Sequence, residues 1–496
     1  MKKYCILFIF LLFKGFVTAQ KVYDFNATCQ QAYKEITQLK INNGLQLIAK
    51  AKQQNPNNLI PVVLESYCDF FTLFFNEDHV EYKAKKDNFD NRIKLLKEGP
   101  ESSPLHRFCL SAAYLHRAAV EIRFGEFWSA GWDGRKAYSY IKENNKLFPS
   151  FTPNKLLLGG LQTVIGTIPK SFRWVAGILG MHGSVTEGMK NVRQFVNGND
   201  AWSKLLSNEA AFGYCYLMFY LENNKDEAIK FIQTRKLDVV NNYLVAYMAA
   251  NLAINNKQPE YAKSVILNKN KSPEYLQTPM WDYEFGLAKI FHLETQDALV
   301  SLELFARTFK GNFYLKDVYE KISWAYYLQG NMKEAEAARQ NVLKKGATDA
   351  DADKQALRDA QKGVWPNILL LKARLLNDGG YNKEALLILQ NKNNQNSFTK
   401  DEEKLEYVYR LGRINDDMMQ SDAAIQYYNE AIKLGEHSTE YYAARAALQT
   451  GLIYEKRGDK ANAIKYFNLC LGMDDHDYKT SLDQRAKSGI ARCKGE

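Results

Sequence analysis

Asp349, Asp351 and Asp353 alternate like the first three ligands of a calcium-binding loop. Such a loop also needs glycine at its sixth position and a bidentate glutamate at its twelfth, where this chain has Lys354 and Ala360. The competing reading is a solvated acidic turn that caps the helix after it, and no metal is assigned. The seven histidines are scattered, and His106 and His116 lie nearly three helical turns apart, too far to chelate one ion. No H-E-x-x-H, G-x-S-x-G, phosphate-loop or dinucleotide glycine motif occurs. No catalytic residue and no cofactor is therefore assigned. An activity concealed within residues 60–205 needs the acids and histidines of that stretch to converge in one pocket. Beyond the first twenty residues the cysteines are Cys29, Cys68, Cys109, Cys215, Cys470 and Cys493, and none forms a C-x-x-C pair. That removes zinc and thioredoxin-like chemistry. Cys215 and Cys470 occupy small positions of a helical pattern, where a thiol packs as a compact hydrophobe.

The elements that position these residues follow from a series of small side chains. Ala228, Ala262, Ala298, Ala335, Ala385, Ala424 and Ala463 are separated by 34, 36, 37, 50, 39 and 39 residues. A large apolar residue usually follows four positions later, and this period is the signature of stacked helical hairpins. The small residue lets the second helix of a hairpin approach the first. Residues 405–438 carry the pattern as Val408, Leu411, Gly412, Ala424, Tyr428 and Ala431. Residues 444–477 carry it as Ala447, Gly451, Tyr454, Gly458, Ala463, Phe467 and Cys470. The spacing is similar to that of the tetratricopeptide repeat (TPR). The expected fold is all-α, an α-solenoid of stacked TPR-like hairpins. It divides into a signal peptide at 1–20, an N-terminal domain of degenerate hairpins at 21–205, and a regular solenoid at 206–496. The step of 50 places an insertion at 344–364 that adds a short polar helix. Further helices are expected at 60–76, 80–97, 105–124 and 129–145.

In arrays of this kind the first helix of each hairpin lines the binding groove. That register selects Trp324, Tyr327, Arg374, Tyr409, Arg410, Arg413, Arg445 and Lys456 as candidate partner-binding residues. Arginine forks among aromatic rings suit a peptide carboxylate or another anion. The plain alternative is a set of ordinary exposed helix residues. The partner expected is a protein or peptide. The formal charge of +10, of which Lys2, Lys3 and Lys14 carry three, is spread thinly and has no basic block with interleaved aromatics, so nucleic acid is not expected. No feature specifies an oligomeric state.

Lys2 and Lys3, the apolar run from Tyr4 to Phe13, and the small residues Val17-Thr18-Ala19 read as a secretory signal cleaved near Ala19/Gln20. The apolar run ahead of Lys14 is too short to span a bilayer, which needs about 20 residues. The mature chain is therefore expected to be exported, periplasmic or extracellular.

Residues 156–188 are rich in glycine and apolar side chains, running from Leu156-Leu157-Leu158-Gly159-Gly160 through Ile168-Pro169 and Gly180-Met181-His182-Gly183 to Glu187-Gly188. This run resembles the core segment of the tetratricopeptide repeat protein 39 family and its fungal relative, the Iml-two inclusion-body clearance protein, here in an exported bacterial form. The resemblance implies an all-helical repeat fold and an adaptor-like role, and it maps Pro169, Gly180, Gly183 and Gly188 as structural positions. Met181 stands where the family usually has an aromatic residue. Trp174 and its apolar neighbours in 165–181 have two readings, a buried central hairpin or an exposed patch that touches lipid or a protein partner. The sequence thus points to a non-enzymatic, exported scaffold for protein–protein interaction. The alternative is a peripheral envelope protein that contacts membrane through 165–181.

Overall fold

The computed structural model describes residues 20–168, 180–391, 394 and 397–495. Among these the secondary structure is helical, apart from one isolated bridge between Val22 and Asn58. The chain divides into two units, one holding the residues up to 74 with 80–210 and 274–276, the other holding 75–79, 211–273 and 277–496.

In the second unit the helices pair in the register of the alanine series. Tyr243–Asn255 pairs with Pro259–Asn268, Met280–Ile290 with Thr295–Thr308, and Leu315–Leu328 with Met332–Lys344. Ile368–Asp378 then pairs with Asn382–Gln390, Asp401–Asp417 with Ser421–Leu434, and Tyr442–Lys456 with Lys460–Leu471, and Lys479–Lys494 follows. All seven alanines of the series are at 0% exposure, which is the close approach the spacing implies. The fold is an all-α solenoid of stacked hairpins. Where glycine replaces the small residue, aromatic rings fill the space. A Cβ added to Gly451 or Gly489 would meet the Phe467 ring at 2.6 or 2.5 Å.

A second register accompanies the first. Five residues before each alanine the backbone is left-handed, at Asn223, Lys257, Leu293, Gly330, Gly380, Met419 and Gly458, with φ from 56° to 81°. A left-handed residue ends the first helix and turns the chain toward the second. Glycine adopts that conformation freely, whereas the other four residues hold it against their own Cβ. The same device recurs in the first unit five residues before Gly44 and Ala130, at Leu39 (φ 62°) and Gly125 (φ 78°). The N-terminal hairpins share the construction of the C-terminal ones although their period is irregular.

The N-terminal helices Ile60–Asn76, His79–Leu96, Pro104–Arg123 and Phe127–Leu147 fall within two residues of the expected bounds. Pro153–Gly166 lies against Val185–Val196 through glycine. A Cβ on Gly188 would come within 2.5 Å of the Gly159 carbonyl oxygen, and one on Gly183 within 2.3 Å of the Gln162 carbonyl oxygen. Gly180 has a φ of 71°. Pro169, Trp174 and the rest of 169–179 lie outside the described residues. The six cysteines of the described residues are buried and form no disulfide. No helix of the described residues is long and apolar enough to cross a membrane.

Burial also displaces titrations. Glu284 is fully buried and accepts a hydrogen bond from Asn251 Nδ2 at 2.8 Å. Desolvation pushes its carboxyl from 4.5 up to about 7, against the hydrogen bonds from Asn251 and Tyr247. Between these values the folded chain keeps a proton that the unfolded chain has released, so the contribution of this group to stability falls as pH rises. Glu284→Gln removes that titration. In urea unfolding followed by circular dichroism it is expected to exceed the parent by about 3 kcal/mol at pH 8 and to approach it at pH 4. Equal stabilities at pH 8 would contradict the assignment.

Candidate functional site

The insertion forms the helix Asp351–Lys362, and its two ends fix the site. Asp353 is fully buried. Its carboxylate accepts the backbone N–H of Tyr314 at 2.7 Å, of Lys316 at 2.9 Å and of Asp317 at 3.1 Å. These belong to the donors that a helix start leaves without intrahelical partners. Burial pushes this carboxyl up to about 6, and the three amides pull it back. The expectation of a solvated acidic turn capping the following helix is corrected here. Asp349 and Asp351 stay exposed, while Asp353 caps Leu315–Leu328 of the preceding repeat.

At the other end Lys362 Nζ meets Asp477 at 2.9 Å and Glu440 at 3.2 Å, and the Arg358 guanidinium lies 4.0 Å from the centre of the Tyr478 ring. The insertion is thereby a strap along the first helices of several repeats. Beside it lies a cavity of about 430 Å³. Glu320, Ser323 and Trp324 of Leu315–Leu328, Arg374 of Ile368–Asp378, Glu406 of Asp401–Asp417 and Tyr442 of Tyr442–Lys456 all contribute to its lining.

Rings and cations alternate around this space. Trp324 has Lys321 Nζ at 4.3 Å and the Arg374 guanidinium at 4.8 Å from its ring centre. Trp365 stacks with Tyr327 at 4.8 Å and carries the Arg339 guanidinium at 4.8 Å. The Tyr327 hydroxyl donates to the Pro366 carbonyl at 3.0 Å, which holds the pair in place.

The arginines already meet carboxylates of the chain. Arg374 lies 3.8 Å from Asp359 and 3.9 Å from Asp378, Arg413 donates to Asp378 at 2.8 Å, and Arg410 Nε donates to Glu406 at 2.6 Å. Burial alone would push the Asp378 carboxyl up, but Arg413 and Arg374 outweigh it and hold the group below its usual range. Burial likewise opposes charge on Arg374, and Asp359 leads the groups that keep it firmly protonated. Glu320 is paired through one oxygen only. Its Oε2 accepts from Lys321 Nζ at 2.7 Å, while its buried Oε1 has no hydrogen-bond partner. Burial pushes its carboxyl up to about 7, with Lys321 the main opposing charge.

Of the residues selected from the sequence, Trp324 and Arg374 line the cavity, and Tyr327 supports Trp365 from behind. Tyr409 is buried, with the Tyr442 ring centre 5.1 Å away, and so belongs to the core rather than to a groove surface. Arg410 is buried with its carboxylate partner. Arg413 and Arg445 are half-buried, the latter with Nε unpartnered, and Lys456 is exposed. Arginines free to grip an anion are therefore not what Arg374, Arg410 and Arg413 present. Sequence reasoning passed over Glu320 and Lys321, although they occupy groove positions of the same repeat that supplied Trp324. It also passed over Trp365, which lies between two repeats and outside their numbering.

In the N-terminal half, His116 has the Tyr67 ring centre at 4.1 Å and Ser66 Oγ at 3.2 Å, and burial pushes it down to about 3. Glu209 accepts the Tyr33 hydroxyl at 2.6 Å and the Tyr67 hydroxyl at 2.9 Å. These buried groups are satisfied by one another, and the cavity draws none of its lining from 60–205. Glu260, His292 and Glu294 place ligand atoms within 4.8 Å of one another. Lys263 Nζ already lies 2.6 Å from Glu260 and 2.8 Å from Glu294, so a side-chain cation stands where a metal would compete.

Residues 405–435 and 444–477 match the tetratricopeptide repeat family model, so the chain carries these repeats at its two most regular hairpins. No curated protein matches the sequence significantly. Among solved structures, the TPR domain of P58(IPK) is similar at 14% identity, over 84% of this chain and 95% of that one, with a TM-score of 0.23. The structure of Naa15/Naa10 bound to HypK-THB is similar at 13% identity, over 94% of this chain and 65% of that one, with a TM-score of 0.26.

Proposed function

We propose that this chain is a non-enzymatic, exported scaffold that takes a segment of a protein partner along the groove beside the strap. The observation that carries this reading is the cavity itself, which is lined from four successive hairpins and the insertion. Repeat arrays use such composite surfaces for binding, because no single hairpin is large enough to hold a partner. Rings supply contact area there and the buried polar groups supply direction. The basic start and apolar run of residues 1–20 support export. The adaptor role and the kinship with the tetratricopeptide repeat protein 39 family, implied by residues 156–196, belong to the same proposal, as does a partner-binding array that begins near residue 206.

Site-specific photocrosslinking in intact cells tests it. Val364 is 67% exposed and lines the cavity, whereas Leu387 is 71% exposed and is not among the lining residues. A benzophenone side chain at 364 is expected to capture discrete protein partners on a chain beginning near Gln20, and one at 387 is not. Equal capture from both positions would remove the groove from the reading.

A further inference from the structure

We propose that the cavity beside the strap selects a basic protein segment, seating a lysine or arginine side chain of the partner against Glu320. The inference rests on the groove reading above and adds the sign of charge that the groove accepts. Seven carboxylates and four basic side chains line the cavity, on a chain whose formal charge is +10. Lys321 and Arg410, outside the lining, pair with Glu320 and Glu406 and leave the site acidic by about one charge, opposite in sign to the whole chain, and such a site draws cations from solution.

Glu320 gives the cation a defined partner. It is 4% exposed, it lines the cavity, and its Oε1 lacks a hydrogen bond while Oε2 is held by Lys321. A buried carboxylate oxygen without a hydrogen bond is complementary to an N–H donor with positive charge. An acidic segment fits less well. Arg374, Arg410 and Arg413 are engaged by Asp359, Asp378 and Glu406, and an incoming carboxylate would also face the exposed Glu402 at the rim.

Calorimetric titration of the mature chain with two blocked probes, N-acetyl-tetra-arginine amide and N-acetyl-tetraglutamate amide, tests the proposal. The arginine probe is expected to bind, to weaken as salt rises from about 50 to 500 mM, and to weaken about tenfold with Glu320→Gln, a charge-charge contact exchanged for a neutral one. Glu402→Lys, at an exposed position, is expected to weaken the same probe several-fold and reports independently if Glu320→Gln fails to fold. Preferential binding of the glutamate probe overturns the charge assignment and leaves the groove reading standing. Binding of neither probe overturns both. Arginine-probe binding that both variants leave unchanged also overturns the assignment, because it would place the cation elsewhere.

Discussion

Asp353→Ala is expected to lower the stability of the second unit by about 3 kcal/mol, read as a lower urea midpoint with an unchanged slope. The side chain is not a surface acid. It accepts three backbone N–H groups at the start of Leu315–Leu328, and its removal leaves those donors buried without a partner. Asp351→Ala is the matched control, since that side chain is 99% exposed, and it should stay within about 0.5 kcal/mol of the parent. Similar losses for both variants would show that the acidic stretch acts through general charge rather than through the cap. Calcium is expected to shift neither midpoint, because the carboxylate that a calcium loop would use is committed to amides.

Phe467→Ala should cost more, about 4 kcal/mol in the same assay. Its ring is fully buried between Gly451 of Tyr442–Lys456 and Gly489 of Lys479–Lys494, so it joins the last hairpin to the helix after it. The two glycines leave no side chains that can swing into the vacated volume, which places the loss toward the upper end for an aromatic truncation. Phe467→Leu refills part of the space and should recover roughly half. A cost below about 1 kcal/mol for the alanine variant would mean that the terminal helix is not held by this contact.

The alanine series was legible because close packing of two helices constrains residue size, and size is written directly in the sequence. The left-handed turns five residues earlier were not. Gly330, Gly380, Gly458 and, more weakly, Asn223 advertise them, but Lys257, Leu293 and Met419 adopt the same backbone with side chains that do not favour it. Conformation imposed by packing leaves no mark on side-chain type. Trp324 and Arg374, selected from register alone, line the cavity. The partners of the arginines were not selected, since Asp378 and Glu406 reach them from a neighbouring repeat or a neighbouring turn, and a helical period does not encode which of many surface acids turns inward. Asp353 was misread for a related reason. Its spacing with Asp349 and Asp351 suggested a local structure, and its actual partners lie 36 to 39 residues earlier in the chain.

The strap also changes how this array comes apart. A solenoid whose repeats touch only their neighbours behaves as a one-dimensional chain, in which any single unit can open without disturbing those beyond the next. Asp353 ties the strap to the start of Leu315–Leu328, while Lys362 reaches Glu440 and Asp477, past the intervening hairpins 368–390 and 401–434. The strap thus adds contacts between hairpins that are not neighbours in the chain, which a plain row of repeats lacks.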